Sequence, residues 1–255
     1  MNKIFWIIVA GVLPVAGFSQ EKKSYPVPPK MAPQMTEFWT PQPPVVTPAD
    51  MDALVAPPSD ALVLFGANGD ASEWRRSDGS PITWHIDGGV MTVEPKTGSI
   101  FTKREFGDFQ LHIEWRSPTV ITGESQGRGN SGVFLQNKYE IQVLDNYENE
   151  TYVNGMAGSI YKQSPPLVNA AQQPGKWNVY DIIYTAPRFK ENGTLHEHGR
   201  VTLLWNGVVV QNHTLILGTT EYIGLPKIVP HGRGPIQLQD HKNPVSFRNI
   251  WIREL

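Results

Sequence analysis

Tyr139-Glu140-Ile141-Gln142-Val143-Leu144-Asp145-Asn146 alternates apolar and polar side chains with a period of two, the mark of a β-strand that has one face in a core. Ile141 and Val143 enter that core, and Glu140 and Gln142 share the opposite face. A strand this apolar gains no stability from Glu140, Gln142 and Asp145 in its middle. Their face is the candidate site.

Two further stretches repeat the pattern. In Leu111-His112-Ile113-Glu114-Trp115-Arg116 the apolar set is Leu111, Ile113 and Trp115, which leaves His112, Glu114 and Arg116 together on the other side. In Ile236-Gln237-Leu238-Gln239-Asp240-His241, Ile236 and Leu238 alternate with Gln237, Gln239 and His241. An antiparallel sheet with one wet face produces the same alternation. Solvated faces favour Lys, Thr and Glu, however, whereas these are rich in Gln, His and Arg, a choice better suited to a substrate groove. Glu114 and Arg116, two apart on one face, equally fit a structural ion pair. Asp145-Asn146 fits a turn as well as a site, and Arg248 reads as a strand-face residue.

Working outward, short strands are predicted at 61–65, 82–86, 90–93, 99–102, 109–116, 131–136, 139–144, 158–161, 177–184, 200–205, 208–213, 235–239 and 246–253. Asp87-Gly88 and Asn206-Gly207 are dipeptides that close tight hairpins, because both turn residues must accept positive φ. No long helical period and no repeat is visible. These signals favour an all-β fold, a jelly-roll sandwich of two antiparallel sheets.

The ends of the chain read differently. Residues 1–19 have the order of an export signal: a basic start at Asn2-Lys3, an apolar run from Ile4 to Phe18, and small residues at Gly17-Phe18-Ser19. The run is short for a spanning helix and broken by Pro14, so a periplasmic or secreted location without membrane insertion is expected, with a mature start near Gln20. There is no cysteine, hence neither a disulfide framework nor a lipid-bearing thiol. Ten of the 22 prolines fall between Pro26 and Pro58, so residues 20–59 should form an extended arm, with Phe38 and Trp39 pinning it to the domain of residues 60–255. A net charge of −2 without a basic cluster excludes nucleic acid and anionic membrane surfaces as partners. The sequence is silent on oligomeric state.

A set of motifs in one order resembles a known bacterial family. It comprises Leu64-Phe65 followed by Trp74, Trp84-His85-Ile86-Asp87-Gly88, Phe109 to Arg116, Gly129-Asn130-Ser131-Gly132 and Tyr139 to Asn146. It continues with Gly175-Lys176-Trp177-Asn178, Trp205-Asn206-Gly207, Ile236 to His241 and Val245-Ser246-Phe247-Arg248-Asn249-Ile250. The family is the 3-keto-disaccharide hydrolases, also described as 3-keto-glucoside 1,2-lyases and 3-keto-2-hydroxyglucal hydratases. The resemblance implies a concanavalin A-like jelly roll and an enzyme acting on an oligosaccharide or glycoside. A more distant likeness links Glu140-x-Gln142-x-x-Asp145 to the Glu-x-Asp-x-x-Glu strand of laminarinase-type glycosidases, but Gln142 cannot relay charge and Asp145 is one methylene short. A non-catalytic glycan-binding module would use the same groove, although paired ionisable groups favour an enzyme.

The chemistry implied by the resemblance needs a base near C2 of a 3-keto sugar, donors around the developing O3 oxyanion and an acid near the glycosidic oxygen. Glu140, His241 and Asp145 are the catalytic candidates, His241 or Glu140 as base and Asp145 or Glu114 as acid. Arg116 with Asn130 or Gln142 would steady the enolate, and Gln239 adds a substrate contact. No cofactor is called for, though a divalent cation could sit among the groove carboxylates. His196-Glu197-His198 is the densest metal-like cluster, but it lies in a polar stretch read as a loop tip and lacks further ligands.

Overall fold

The computed structural model describes residues 30–255, so the expected export signal and the expected start at Gln20 lie outside the described residues. Among the described residues fifteen strands follow one another: β1 (Leu62–Phe65), β2 (Trp74–Arg76), β3 (His85–Asp87), β4 (Val90–Thr92), β5 (Ile100–Thr102), β6 (Phe109–Arg116), β7 (Ser131–Leu135) and β8 (Tyr139–Val143), then β9 (Asn178–Thr185), β10 (Arg188–Phe189), β11 (Leu195–Glu197), β12 (Arg200–Trp205), β13 (Val208–Leu215), β14 (Gln237–Leu238) and β15 (Ser246–Glu254). The only helical pieces among the described residues are single 3-10 turns at Pro33–Thr36, Ser125–Gly127 and Val153–Gly155. No helix there is long and apolar enough to cross a membrane.

The strands build a two-sheet antiparallel sandwich of the concanavalin A-like jelly-roll type. The larger sheet runs β13-β12-β9-β6-β15-β4-β3, with β1 also pairing β15, and the smaller runs β2-β5-β14-β7-β8. β15 is long enough to serve β4 with Ser246–Phe247 and β1 with Ile250–Ile252 on the same edge. Between the sheets lie the alternate residues of each strand: Leu111, Ile113 and Trp115 of β6 meet Val133, Ile141 and Val143 of the smaller sheet, all almost without solvent exposure. Two phenols cross this core, Tyr180 donating to the Gln142 carbonyl at 2.7 Å and Tyr184 to Gln136 Oε1 at 2.7 Å. They tie the larger sheet to the strand pair that carries Glu140.

The Asn206-Gly207 turn is formed as expected, with φ of 53° and 77° and Trp205 paired to Val208. The β3–β4 turn is instead Gly88-Gly89, one residue later than the dipeptide suggested, because Asp87 pairs with Val90. The strand expected at 158–161 is a turn opened by Gly158 at φ 77°. It still bonds to the free edge of β8, through Gln142 N to Ser159 O at 3.1 Å and Tyr161 N to Glu140 O at 3.1 Å. An irregular segment thus satisfies the backbone groups an edge strand would leave bare. His196 and Glu197 fall on β11 of a small β10–β11 hairpin, not on a bare loop tip.

From Met31 to Pro58 the chain has no regular strand and follows the domain surface. Phe38 and Trp39 are half exposed, so it is mainly the backbone that is held. Asn154 Oδ1 accepts from Phe38 N at 2.9 Å, and Val45 bridges to Asn169 in parallel. Further along, the Asp52 and Val55 carbonyls accept from Arg248 and Asn249 on the outer face of the larger sheet.

Candidate active site

The register of the smaller sheet decides what its outer face presents. Gly132 pairs with Gln142 and Phe134 with Glu140, so these four positions form one patch, with Val133 and Ile141 directed to the core. Gln239 follows β14 and joins the patch from the neighbouring strand; His241 stands at its rim. The segments after β8 and β13 rise over it with Tyr152, Tyr161, Thr220 and Tyr222. The result is a pocket of about 590 Å³. Of the residues picked from the sequence, Glu140, Gln142, Asn130, Gln239 and His241 come together there.

Glu140 is 4% exposed, and its carboxyl has no hydrogen-bond partner among the described residues. Burial without a counter-charge pushes its pKa up to about 8. His241 carries the opposite bias: partial desolvation, and after it the neighbouring Lys242 charge, hold its pKa below the ordinary histidine value. One pocket therefore holds, near neutral pH, a protonated carboxyl and an uncharged imidazole.

The amides are wired through a residue absent from the sequence-based selection. Gln142 Nε2 donates to Gln126 Oε1 at 3.0 Å and to the Gly155 carbonyl at 3.3 Å, and Asn130 Nδ2 donates to the Gln126 carbonyl at 2.8 Å. This leaves Gln142 Oε1 buried with no donor, and Gln239 Oε1 is in the same condition. Buried acceptors without partners are costly, and in a polar pocket they suit ligand hydroxyls. Above them the Tyr152 and Tyr161 hydroxyls are 2.7 Å apart. One donates to the other, and the second keeps its hydrogen for another oxygen. Burial above all raises both phenol pKa values, Tyr161 to about 12, so both stay protonated.

Three of the residues picked from the sequence lie away from this pocket. Asp145 does not line this pocket: it accepts from Arg128 Nε at 2.8 Å and caps the backbone of Tyr147 at 3.2 Å, the turn role its sequence also allowed. Glu114 and Arg116 lie on the outer face of the other sheet, because β6 is central to the larger sheet while β8 belongs to the smaller. There the fully buried Glu114 accepts from Arg248 Nε at 2.6 Å, Asn249 Nδ2 at 2.7 Å and His112 Nε2 at 3.4 Å. A register slip between Arg248 and Trp251, with Asn249 at φ 47°, lets both donors reach that face. Arg116 lies 4.6 Å from the centre of the Trp177 ring. Burial disfavours a charged His112, yet the hydrogen bonds and charges of Asp181 and Glu114 outweigh it and raise its pKa to about 9. Its ring also stacks on Trp251 at 4.9 Å.

Tyr152, Tyr222 and Gln126 escaped the sequence reading because they sit on irregular segments, where no periodicity assigns a face, and Tyr161 because the strand expected at 158–161 is a turn. No three His, Cys, Asp or Glu side chains among the described residues gather into a metal-holding cluster.

The fold and this pocket can be set against known proteins. The chain is 60% identical to a Parabacteroides distasonis protein whose crystal structure is provisionally described as that of a glycosyl hydrolase, over 87% of this chain and 96% of the other, with a TM-score of 0.78. Two more crystal structures from that organism, given the same provisional description, are 20% and 23% identical, with TM-scores of 0.56 and 0.54. They cover 77% and 76% of this chain and 94% and 99% of their own, and share the fold. No curated protein matches the chain. Residues 60–253 match the model of the 3-keto-alpha-glucoside-1,2-lyase-like domain, and the chain belongs to that family.

Proposed function

We propose that this protein is an exported enzyme that cleaves 3-keto-glycosides by abstraction of the C2 proton and β-elimination, with later addition of water giving net hydrolysis. A ketone at C3 acidifies the C2 hydrogen. Uncharged His241 takes that proton, and the electron pair left on C2 is delocalised onto O3 as an enolate. The free hydroxyl hydrogen of the Tyr152–Tyr161 pair meets this oxygen, the part first given to Arg116. The enolate collapses to a C1–C2 double bond and breaks the C1–O bond, and Glu140 delivers its proton to the departing oxygen. Gln142 Oε1 and Gln239 Oε1 accept sugar hydroxyls and fix the ring.

The observation that carries this reading is that one pocket holds a buried, unpartnered carboxyl, whose pKa burial pushes up to about 8, together with an imidazole held below its usual value. Environments that drive two titrating groups apart in this way mark an acid and a base. Conventional double displacement would need a second carboxylate about 5 to 5.5 Å from the first across the scissile bond. Asp145, the candidate by spacing, is committed to Arg128, and Glu37, the other carboxylate lining the pocket, is held against the Lys162 ammonium.

The test is to incubate the pure protein with matched 3-keto and ordinary disaccharides in heavy water and follow products by NMR. Sugar release with deuterium at C2 from the keto substrate alone is expected. Turnover of the ordinary disaccharide without exchange would establish a conventional glycosidase instead, and binding of either sugar without turnover would establish a glycan-binding module.

A further inference from the structure

The matched family domain begins at residue 60, yet one wall of the pocket comes from the arm before it: Glu37 lines the same cavity as Glu140. Its position is set by the backbone on both sides. The fully buried amide of Asn154 accepts from Phe38 N at 2.9 Å and donates to the Thr36 carbonyl at 2.9 Å, so one side chain grips the residues immediately before and after Glu37. Val153 N adds a third bond, at 2.5 Å to the Phe38 carbonyl.

Lys162 explains why a carboxylate is tolerated there. Its ammonium is buried beside the rings of Tyr152, Tyr161 and Tyr222, donates to the Pro33 carbonyl at 2.9 Å and the Tyr222 carbonyl at 3.0 Å, and stands 3.7 Å from Glu37 Oε1. At 3.7 Å this is a charge contact, not a hydrogen bond. The Glu37 carboxylate is thus charge-compensated while it accepts no hydrogen bond from any described residue. Glu37, Glu140, Tyr152 and Tyr161 line one cavity, so the two carboxyls flank the phenol pair. A merely structural carboxylate would have spent its acceptors on neighbouring N–H groups, as Glu114 does with Arg248 and Asn249.

We propose that Glu37 is a substrate-binding residue whose carboxylate accepts hydrogen bonds from sugar hydroxyls, so that the arm preceding the family domain forms part of the binding site. This rests on the carbohydrate reading above but not on its elimination chemistry.

The test uses the full protein, 3-keto-trehalose and the monodeoxy derivatives of that sugar, with wild type, Glu37→Gln and Asn154→Ala. Charged hydrogen bonds of roughly 1.5–3 kcal/mol correspond to a KM rise of about 10- to 160-fold in Glu37→Gln, with kcat falling far less. One deoxy derivative that is poor for wild type should suffer no added penalty in Glu37→Gln, because its missing hydroxyl and the missing charge belong to the same contact. Asn154→Ala should raise KM without compounding the Glu37 effect. Wild-type KM in a folded Glu37→Gln, or equal penalties for every deoxy derivative, would overturn the proposal. If wild type turns over no 3-keto sugar, calorimetric titration with trehalose separates the two ideas: Glu37-dependent binding keeps this one while the elimination reading fails, and binding indifferent to Glu37, or none, removes it.

Discussion

Gly132 lies against Glu140 so closely that a Cβ on the glycine would overlap the carboxyl oxygen Oε1 and crowd the ring of Phe134. Its backbone needs no positive φ, so the glycine is there for space. Gly132→Ala should force the Glu140 side chain out of its seat. A stability loss of roughly 1–3 kcal/mol in chemical denaturation is expected, with a loss of activity larger than that of an alanine placed elsewhere on β7.

Glu140→Gln removes the proposed proton donor and should lower kcat by about 10²–10⁴-fold. Wild-type activity should fall as pH rises through about 8, where the carboxyl ionises, and as pH falls below the lowered His241 value, where the base becomes charged. In Glu140→Gln the residual activity should lack the upper limb, and in His241→Ala the lower one. A pH profile of kcat/KM for the three proteins decides this.

His112 predicts a pH dependence of stability apart from catalysis. Its folded pKa, about 9, lies above the free value of 6.5, so its stabilisation is fully present below pH 6.5 and is lost as pH rises through 9. Glu140, raised from 4.5 to about 8, acts in the same direction over a lower window, losing its contribution between those values. Urea unfolding of the wild type should therefore show stability falling as pH rises from 4.5 through 9, with the part between 6.5 and 9 that is due to His112 amounting to on the order of 3 kcal/mol at most. His112→Gln should flatten that part of the curve and leave the Glu140 part in place.

Tyr180→Phe deletes the hydroxyl that crosses the core to the Gln142 carbonyl. A cost of about 0.5–1.5 kcal/mol in thermal or chemical unfolding is expected, the net value of one hydrogen bond, since the carbonyl keeps a second donor. Because that carbonyl still receives Gly158 N at 3.0 Å, β8 should keep its register and the KM should stay within a few-fold of wild type.

The sequence by itself determined the β class, most strand positions and which side of each strand is polar, since these follow from a two-residue period and from turn chemistry that act over a few neighbours. It also singled out Glu140, Gln142, Gln239 and His241, because polar groups alternating with apolar ones are conspicuous without any coordinates, and Asn130 through the chemistry that the family resemblance implies. Only the tertiary structure decided which polar faces belong to one another. β6 and β8 read alike, yet they sit in different sheets, so Glu114 and Arg116 look out from one side of the sandwich and Glu140 from the other. Pairing across a sheet is non-local and leaves no trace in the period of either strand. The same holds for Glu37 and the tyrosines, whose place in the pocket depends on contacts such as Asn154 to Phe38 between segments far apart in the chain.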